Sequence, residues 1–397
     1  MPITLRRGRL YRGPQGRRPL RLAGVNAFAL PWLGAFDRPR LDRELDRLAA
    51  LGLNAVRFVA TSHGPDDAPH RVHPSLQPAP GAFRGPLIEG LGRCLEGLKA
   101  RGLVSIVAYG NFWHWTGGFA QLRAWAGAGP LPYPVESPEG AAPDWDRYTR
   151  YAAGLYADPG ARALYAAGLT RLVPVVAASG ADVLHELANE PRGLGARPAF
   201  VRWLDEQLAT LRRLAPGALV LPGTEGSTRD PESAGLDFER DHERADLASL
   251  HLWPENWGVH RPGDDERAFA ETLAWARGHL REHAFRAAAM HRPLLLEETG
   301  LARDAGAYGP ATPTTRRARF VRALLAEAEA LASEGAPLAG LLLWAWAGEG
   351  VPRAPGGAWA YGDALGGDPP HEPQGWYGIY AGDDLAPLRE LGEWGRA

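Results

Sequence analysis

Eight apolar runs, each followed by a long amphipathic stretch, recur along this chain. They cover residues 21–27, 54–60, 103–109, 183–189, 218–223, 247–253, 293–298 and 339–346. Most are apolar at both parities, as a strand buried on two faces requires. Strands alternating with helices pair in parallel through helical crossovers, and eight such units close into a (β/α)8 TIM barrel. The rival, a doubly wound open sheet, needs a glycine-rich phosphate turn after an early strand, and none is present.

The intervening segments carry helix punctuation. Thr312 and Pro313 supply start signals ahead of Phe320, Val321, Leu324, Leu325 and Leu331, and Gly335 supplies a stop. Residues 200–214 place Val201, Leu204, Leu208 and Leu211 on one face. Residues 3–20 read as a short hairpin closing the barrel bottom. Pro- and Gly-rich excursions at 61–86, 113–144 and 348–384 follow the second, third and last strands, where barrel loops wall an active-site cleft. We expect a single domain over 1–397, with no internal repeat.

Hydrophobic residues make up 45% of the chain and charged ones 23%, enough apolar material for a large core. The formal net charge of -2 provides no field to recruit nucleic acid or an anionic membrane. A neutral partner is expected. Cys94 stands alone, which excludes an intramolecular disulfide and a cysteine metal cluster. The basic N-terminal stretch lacks the apolar core of a signal peptide, and no run reads as a membrane span. A soluble, cytoplasmic protein is expected.

Two strand ends carry acids. Asn189 and Glu190 close the fourth run within LHELANEPRG, and Glu297 and Glu298 close the seventh within RPLLLEETG. Burying carboxylates at strand ends is costly unless something pairs or uses them. Two carboxyl groups facing across a barrel mouth are the minimum equipment of glycoside hydrolysis. Strict alternation from Leu294 and Leu296 sets Glu298 on one face and Glu297 on the other, so one of the two is expected to point inward, and Glu298 is selected.

Taken in order, ELANEPR (186–192), NAVRF (54–58), NFWHWTGGFAQ (111–121), HLWPENW (251–257), EETG (297–300), WAWAGEG (344–350) and GDPPHEPQGWY (367–377) resemble glycoside hydrolase family five, in its β-mannanase and β-mannosidase branch. The resemblance spans nearly the whole chain. It implies a retaining enzyme acting on β-mannan or manno-oligosaccharides, with Glu190 as general acid/base and Glu298 as nucleophile. Asn189 is then the residue on the sugar 2-hydroxyl, and Arg57 and His251 support the nucleophile; the other reading of Arg57 is a core salt bridge with Glu186. That arrangement predicts a raised pKa for Glu190 and a depressed one for Glu298.

Trp253 stands where the broader family has a tyrosine, exchanging a hydroxyl for an indole donor. Trp344 matches the platform beneath the sugar being cleaved, and Trp113, Trp115, Trp257 and Trp346 are candidates for neighbouring subsites, since indole faces pack on pyranose C–H faces. No cofactor and no metal are expected. His279 and His283 sit at helical spacing but read as a solvated face, and HGPDD (63–67) as a polar loop. An exo-acting mannosidase, a β-glucan hydrolase on the same barrel and a non-catalytic carbohydrate-binding barrel are the alternatives.

Overall fold

A computed structural model describes residues 3–13, 18–134 and 143–397. Strands β1 (Ile3–Arg6), β2 (Arg9–Arg12) and β3 (Arg18–Pro19) form an antiparallel sheet in which Leu5 faces Leu10. Leu10 is buried with Leu22, Ala55, Val104, Ile106, Leu184, Leu221, Leu247, Leu295 and Leu342, so the expected hairpin plugs the barrel from below.

Eight parallel strands follow: β4 (Leu22–Asn26), β5 (Ala55–Val59), β6 (Val104–Ala108), β7 (Val183–Glu186), β8 (Leu219–Leu221), β9 (Ala248–Leu252), β10 (Leu294–Thr299) and β11 (Leu338–Leu343). Every apolar run of the sequence coincides with one of them to within a residue or a few at the ends. The sheet order β8-β7-β6-β5-β4-β11-β10-β9 leaves one seam, between β8 and β9. Asp246 N donating to Val220 O (2.9 Å) and His251 N donating to Glu225 O (3.1 Å) bridge it. The result is a TIM barrel. Short strands β12 (Trp346–Gly348) and β13 (Ile379–Tyr380) pair above the mouth and bracket the last long loop.

Three of the outer helices start on aspartate side-chain caps. Asp37, Asp158 and Asp265 accept backbone N–H groups at the heads of Arg38–Ala50, Pro159–Ala178 and Glu266–Ala289. The expected cap at Thr312 and Pro313 is replaced: the helix begins at Thr315, and Asp304 accepts from Thr315 N and Arg316 N, both at 3.0 Å. A cap delivered from eleven residues upstream leaves no local pattern to read.

Among the described residues, Pro159–Ala178 is the one helix long and apolar enough to cross a membrane, contrary to the expectation of none. It buries Tyr165, Leu169, Leu172, Val173 and Val176 and packs beside helices Gly85–Ala100 and Arg197–Leu214 in the layer around the barrel. The pair His279 and His283 is also corrected. Their rings lie 4.3 Å apart, His279 faces Trp257 and Trp275, and His283 is buried against Phe238, so this is a packed face.

Candidate active site

Residues two apart along a strand share a face, and the plug layer shows which face is interior. Leu22, Ala55, Leu184, Leu247 and Leu295 belong to it. Continuing upward at the same parity brings Asn26, Arg57, Glu186, His251 and Glu297 into a polar layer directly above the apolar one. All five are almost completely buried.

Arg57 organises this layer. Nε and Nη2 donate to the two oxygens of Glu186 at 2.7 and 2.6 Å. Nη1 donates to Asn26 Oδ1 at 2.9 Å and to Glu298 Oε1, while Nη2 also reaches Asn189 Oδ1 at 2.8 Å. All five guanidinium protons are thereby used, which a planar fork permits and a lysine does not. The sequence reading offered Arg57 either a bond to the candidate nucleophile or a core pair with Glu186. It makes both.

Glu298 reaches the same space through an irregularity. The β9–β10 ladder steps from Leu296↔Leu250 to Glu298↔His251, so two residues of β10 span one step of β9, a β-bulge at Glu297. Because Leu295 faces the interior, strict alternation selects Glu297 for the barrel and turns Glu298 away. The bulge re-aims Glu298, and both acids end up inside. The expectation of one inward acid is therefore corrected: Glu297 Oε1 lies 4.0 Å from Arg57 Nε and Glu297 Oε2 3.7 Å from His251 Nε2. Glu298, but not Glu297, lines the open cleft.

On the opposite wall, Asn189 and Glu190 leave β7 through a strained turn. Glu190 has φ of 52°, a left-handed conformation costing about 1–3 kcal/mol for a residue with a side chain, and its N–H donates to Gly223 O at 2.9 Å. Gly223 has φ of 75°, and a Cβ there would sit 2.1 Å from Ala188 O and 2.2 Å from Glu186 Oε1. Asn189 is held between Arg57 and Asn111, to whose Oδ1 its amide donates at 3.1 Å. Trp113 Nε1 donates to Glu190 Oε2.

His251 bridges the two walls. Its Nδ1 is 2.6 Å from Glu190 Oε1 and 3.3 Å from Glu298 Oε2. One oxygen from each carboxylate and one ring nitrogen all lie within 4.8 Å of one another. The sequence reading gave His251 to Glu298; its shorter contact is with Glu190.

This changes the electrostatics. Burial disfavours charge on Glu190, but the His251 proton, the nearby Arg192 and the Trp113 N–H outweigh it and bring its pKa to about 2. Burial dominates at Glu298, where with repulsion from Glu190 it overcomes His251 and Arg57 and raises the pKa to about 7. The expected order, Glu190 high and Glu298 low, is reversed in the resting cleft, because burial prevails at Glu298 while His251 and Trp113 direct their short contacts at Glu190. Burial also lifts Glu186 to about 7 against the pull of Arg57. His251, although burial opposes its charge, is held up to about 10 by Glu298, Glu190 and Glu297.

The cleft above has a volume of about 1310 Å³. Trp113, Trp115, Trp253, Trp257 and Trp344 line it, joined by Trp145, at the head of the helix Trp145–Ala153, and Trp376, within the motif at 367–377, neither of which was singled out from the sequence. Trp253 meets Trp344 and Tyr377 edge to face, with ring centres 6.2 and 5.1 Å apart. Trp346 does not line the cleft. Its indole donates to the buried Glu44 at 3.0 Å, while Glu44 also accepts Glu349 N at 2.7 Å, so this ring anchors the root of the last loop.

Two long loops meet at one end. His114 and His371 have ring centres 4.6 Å apart, and Trp145 lies 6.0 Å from each of them. Beside them Glu372 lines the cleft, with Oε2 buried and without a hydrogen-bond partner among the described residues. Burial and the negative field of Asp368, Glu298 and Glu190 raise its pKa well above the ordinary range. On the other side Arg192 forms a two-bond pair with Glu225 at 2.6 and 2.7 Å and lies over the Trp113 ring at 4.9 Å. The HGPDD loop is structural: Asp66 accepts from Ser75 N and pairs with Arg84.

A barrel with paired carboxylates at the ends of its fourth and seventh strands, set in an aromatic cleft, has the arrangement of a glycoside hydrolase. The sequence profile described as "GH family 5 beta-mannosidase-like" matches residues 22–390, and the chain belongs to that family. The structure is similar to that of a glycoside hydrolase family 5 mannosidase from Rhizomucor miehei, with a TM-score of 0.86, 29% identity, and coverage of 96% of this chain and 94% of that one. A variant of the Rhizomucor enzyme in complex with mannosyl-fructose is similar too, at a TM-score of 0.84 and 29% identity over 95% of this chain and 92% of that one. Among curated sequences, a putative mannan endo-1,4-β-mannosidase of rice is 26% identical over 348 residues, which is 83% of this chain and 78% of the relative.

Proposed function

We propose that this glycoside hydrolase is a retaining β-mannosidase that removes terminal mannose from short β-1,4-linked manno-oligosaccharides. The family and the substrates named for its relatives support β-mannoside cleavage. The short gap between Glu190 and Glu298 supports retention, because retaining pairs stand about 5 Å apart and inverting pairs leave room for a water.

Glu298, drawn onto Arg57, attacks the anomeric carbon, and Glu190 protonates the departing oxygen. A water then enters, gives its proton to Glu190, and displaces the enzyme from the sugar. Asn189 meets the axial 2-hydroxyl, and Trp344 lies beneath the ring. Below about pH 7 the resting pair holds one proton, on Glu298; catalysis needs the same number of protons with that one on Glu190.

The observation favouring release of single sugars is the contact of His114, Trp145 and His371 across two loops, with Glu372 presenting a carboxyl oxygen beside it. Such a wall stops a polymer from running through and offers an acceptor to the hydroxyls of a chain end. The test is digestion of mannohexaose and cellohexaose, following product sizes and the anomer first released. Mannose alone, released as the β-anomer, is expected. A ladder of fragments overturns the exo reading, α-mannose the retaining one, and faster turnover of cellohexaose the choice of sugar.

A further inference from the structure

The proposed chemistry leaves one buried acid without a task. Glu297 is fully inaccessible, and among the described residues neither of its oxygens has a hydrogen-bond partner. Buried carboxylates without partners are among the most expensive groups a core can hold. His251 Nε2 is likewise buried and unpartnered, and it lies 3.7 Å from Glu297 Oε2. Arg57, the other cation within reach at 4.0 Å, spends its Nε proton on Glu186. The two orphaned groups therefore face each other, and each is the other's remedy.

The opposite ring nitrogen has two claimants, Glu190 Oε1 at 2.6 Å and Glu298 Oε2 at 3.3 Å. These are the two groups between which the resting proton must move before the first chemical step. Other charges around the ring come from every element packed on it: Arg57 on β5, Glu186 on β7, and Glu225 after β8, whose carbonyl also accepts the His251 N–H.

We propose that Glu297 is a positioning residue that holds the Nε2 proton of His251, so that Nδ1 is the one exchangeable ring position and hands the shared proton from Glu298 to Glu190. The transfer balances without any further reactant. Nδ1 gives its proton to Glu190 Oε1 and takes the one on Glu298 Oε2. Glu190 becomes the acid, Glu298 the ionised nucleophile, and His251 ends as it began, an imidazolium. A neutral His251 protonated at Nε2 alone has no Nδ1 proton to give; one protonated at Nδ1 alone leaves Glu297 facing a lone pair. Glu297 supports the doubly protonated ring, consistent with the elevated pKa of His251. The inference rests on the reading of Glu190 and Glu298 as acid and nucleophile.

The experiment is nitrogen-15 spectroscopy of the full chain labelled at histidine, with a His251→Asn variant used only to assign the signal. In the native protein, both ring nitrogens of His251 should be protonated at pH 7 and remain so to at least pH 8. In Glu297→Gln, the titration should fall by more than one pH unit, a greater than tenfold loss of proton affinity. The basic limb of kcat/KM should move the same way, because removing a negative charge lets every proton of the cluster leave at lower pH. Glu297→Asp should restore both. A native His251 that is neutral at pH 7 overturns the proposal, and so does a Glu297→Gln enzyme with unshifted titration and unshifted limb. If Glu297→Gln does not fold, the native spectrum alone decides. Failure of the hydrolase reading would appear separately, as full turnover of a Glu298→Ala enzyme, while the ring's protonation is read without substrate.

Discussion

Arg57 has two jobs that mutation can separate. Replacing it with Met removes five donated hydrogen bonds and leaves Glu186, Glu297 and Glu298 around an apolar stem. Breaking a buried ion pair by deleting one partner costs about 3–5 kcal/mol. Unfolding entropy for a chain of 397 residues is about 0.8 kcal/mol per degree, from roughly 2.1 cal/mol/K per residue, so Tm should fall by about 4–6 °C. The deficit should depend on pH. Glu186 already titrates at about 7, well above its unfolded value, and losing Arg57 raises it further. An acid whose folded pKa is raised costs stability above its unfolded pKa, and the cost grows with pH until the folded value is passed. The loss should therefore be larger at pH 8 than at pH 6. Adding Glu186→Met removes the stranded carboxylate and should recover most of the Tm, since apolar replacement of both partners is often near neutral. Activity should not return: the charge-assisted bonds to Glu298 and Asn189, about 1.5–3 kcal/mol each, are still missing, and kcat/KM should stay at least about a hundredfold down. Calorimetry at two pH values with aryl-mannoside kinetics reads both effects. Recovery of activity with stability in the double variant would refute the division of labour.

Other outcomes follow from the same geometry. The singly protonated Glu190/Glu298 pair persists between about pH 2 and about pH 7, so kcat/KM should be flat from pH 4 to 6 and fall tenfold per unit well above 7; a profile still rising at pH 8 contradicts the assignment. Trp113→Phe keeps the ring but removes the donor to Glu190 and should lower kcat by about 10- to 100-fold; unchanged kcat would mean the contact is idle in the complex. Glu372→Ala should raise KM for mannobiose far more than it changes the binding of larger fragments at the other end of the cleft, a difference that inhibition by manno-oligosaccharides would expose. Trp346→Phe removes the indole donor from Glu44 and should loosen residues 349–378, seen as faster amide exchange there with little change in the core.

The barrel was legible because its strands are buried on both faces, leaving apolar runs whose ends also mark the site. Asn189, Glu190, His251 and Glu298 stand at or beside those ends, Arg57 stands mid-strand in β5, and all five come together. What escaped notice has physical reasons. Asn26 occupies interior parity in plain sight, but an amide on a strand announces nothing until its partner is known. Trp346 sits two residues from Trp344 and looks equivalent, yet a helix on the far side of the wall, carrying Glu44, claims it. The order of the two carboxylate pKa values depends on a difference of 0.7 Å between two contacts of one ring nitrogen, which no pattern of residue types encodes.

The extra residue in β10 has a wider implication for how adjacent acids are interpreted. A regular strand must send neighbours to opposite sides, so a pair of consecutive glutamates ordinarily means one for the protein and one for the solvent. Where a rung is shared, that arithmetic lapses: the strand can deliver reagent and counterweight to the same chamber from successive codons. Shortening or regularising this segment by a single residue would leave the composition almost intact and still exchange which carboxylate meets the sugar.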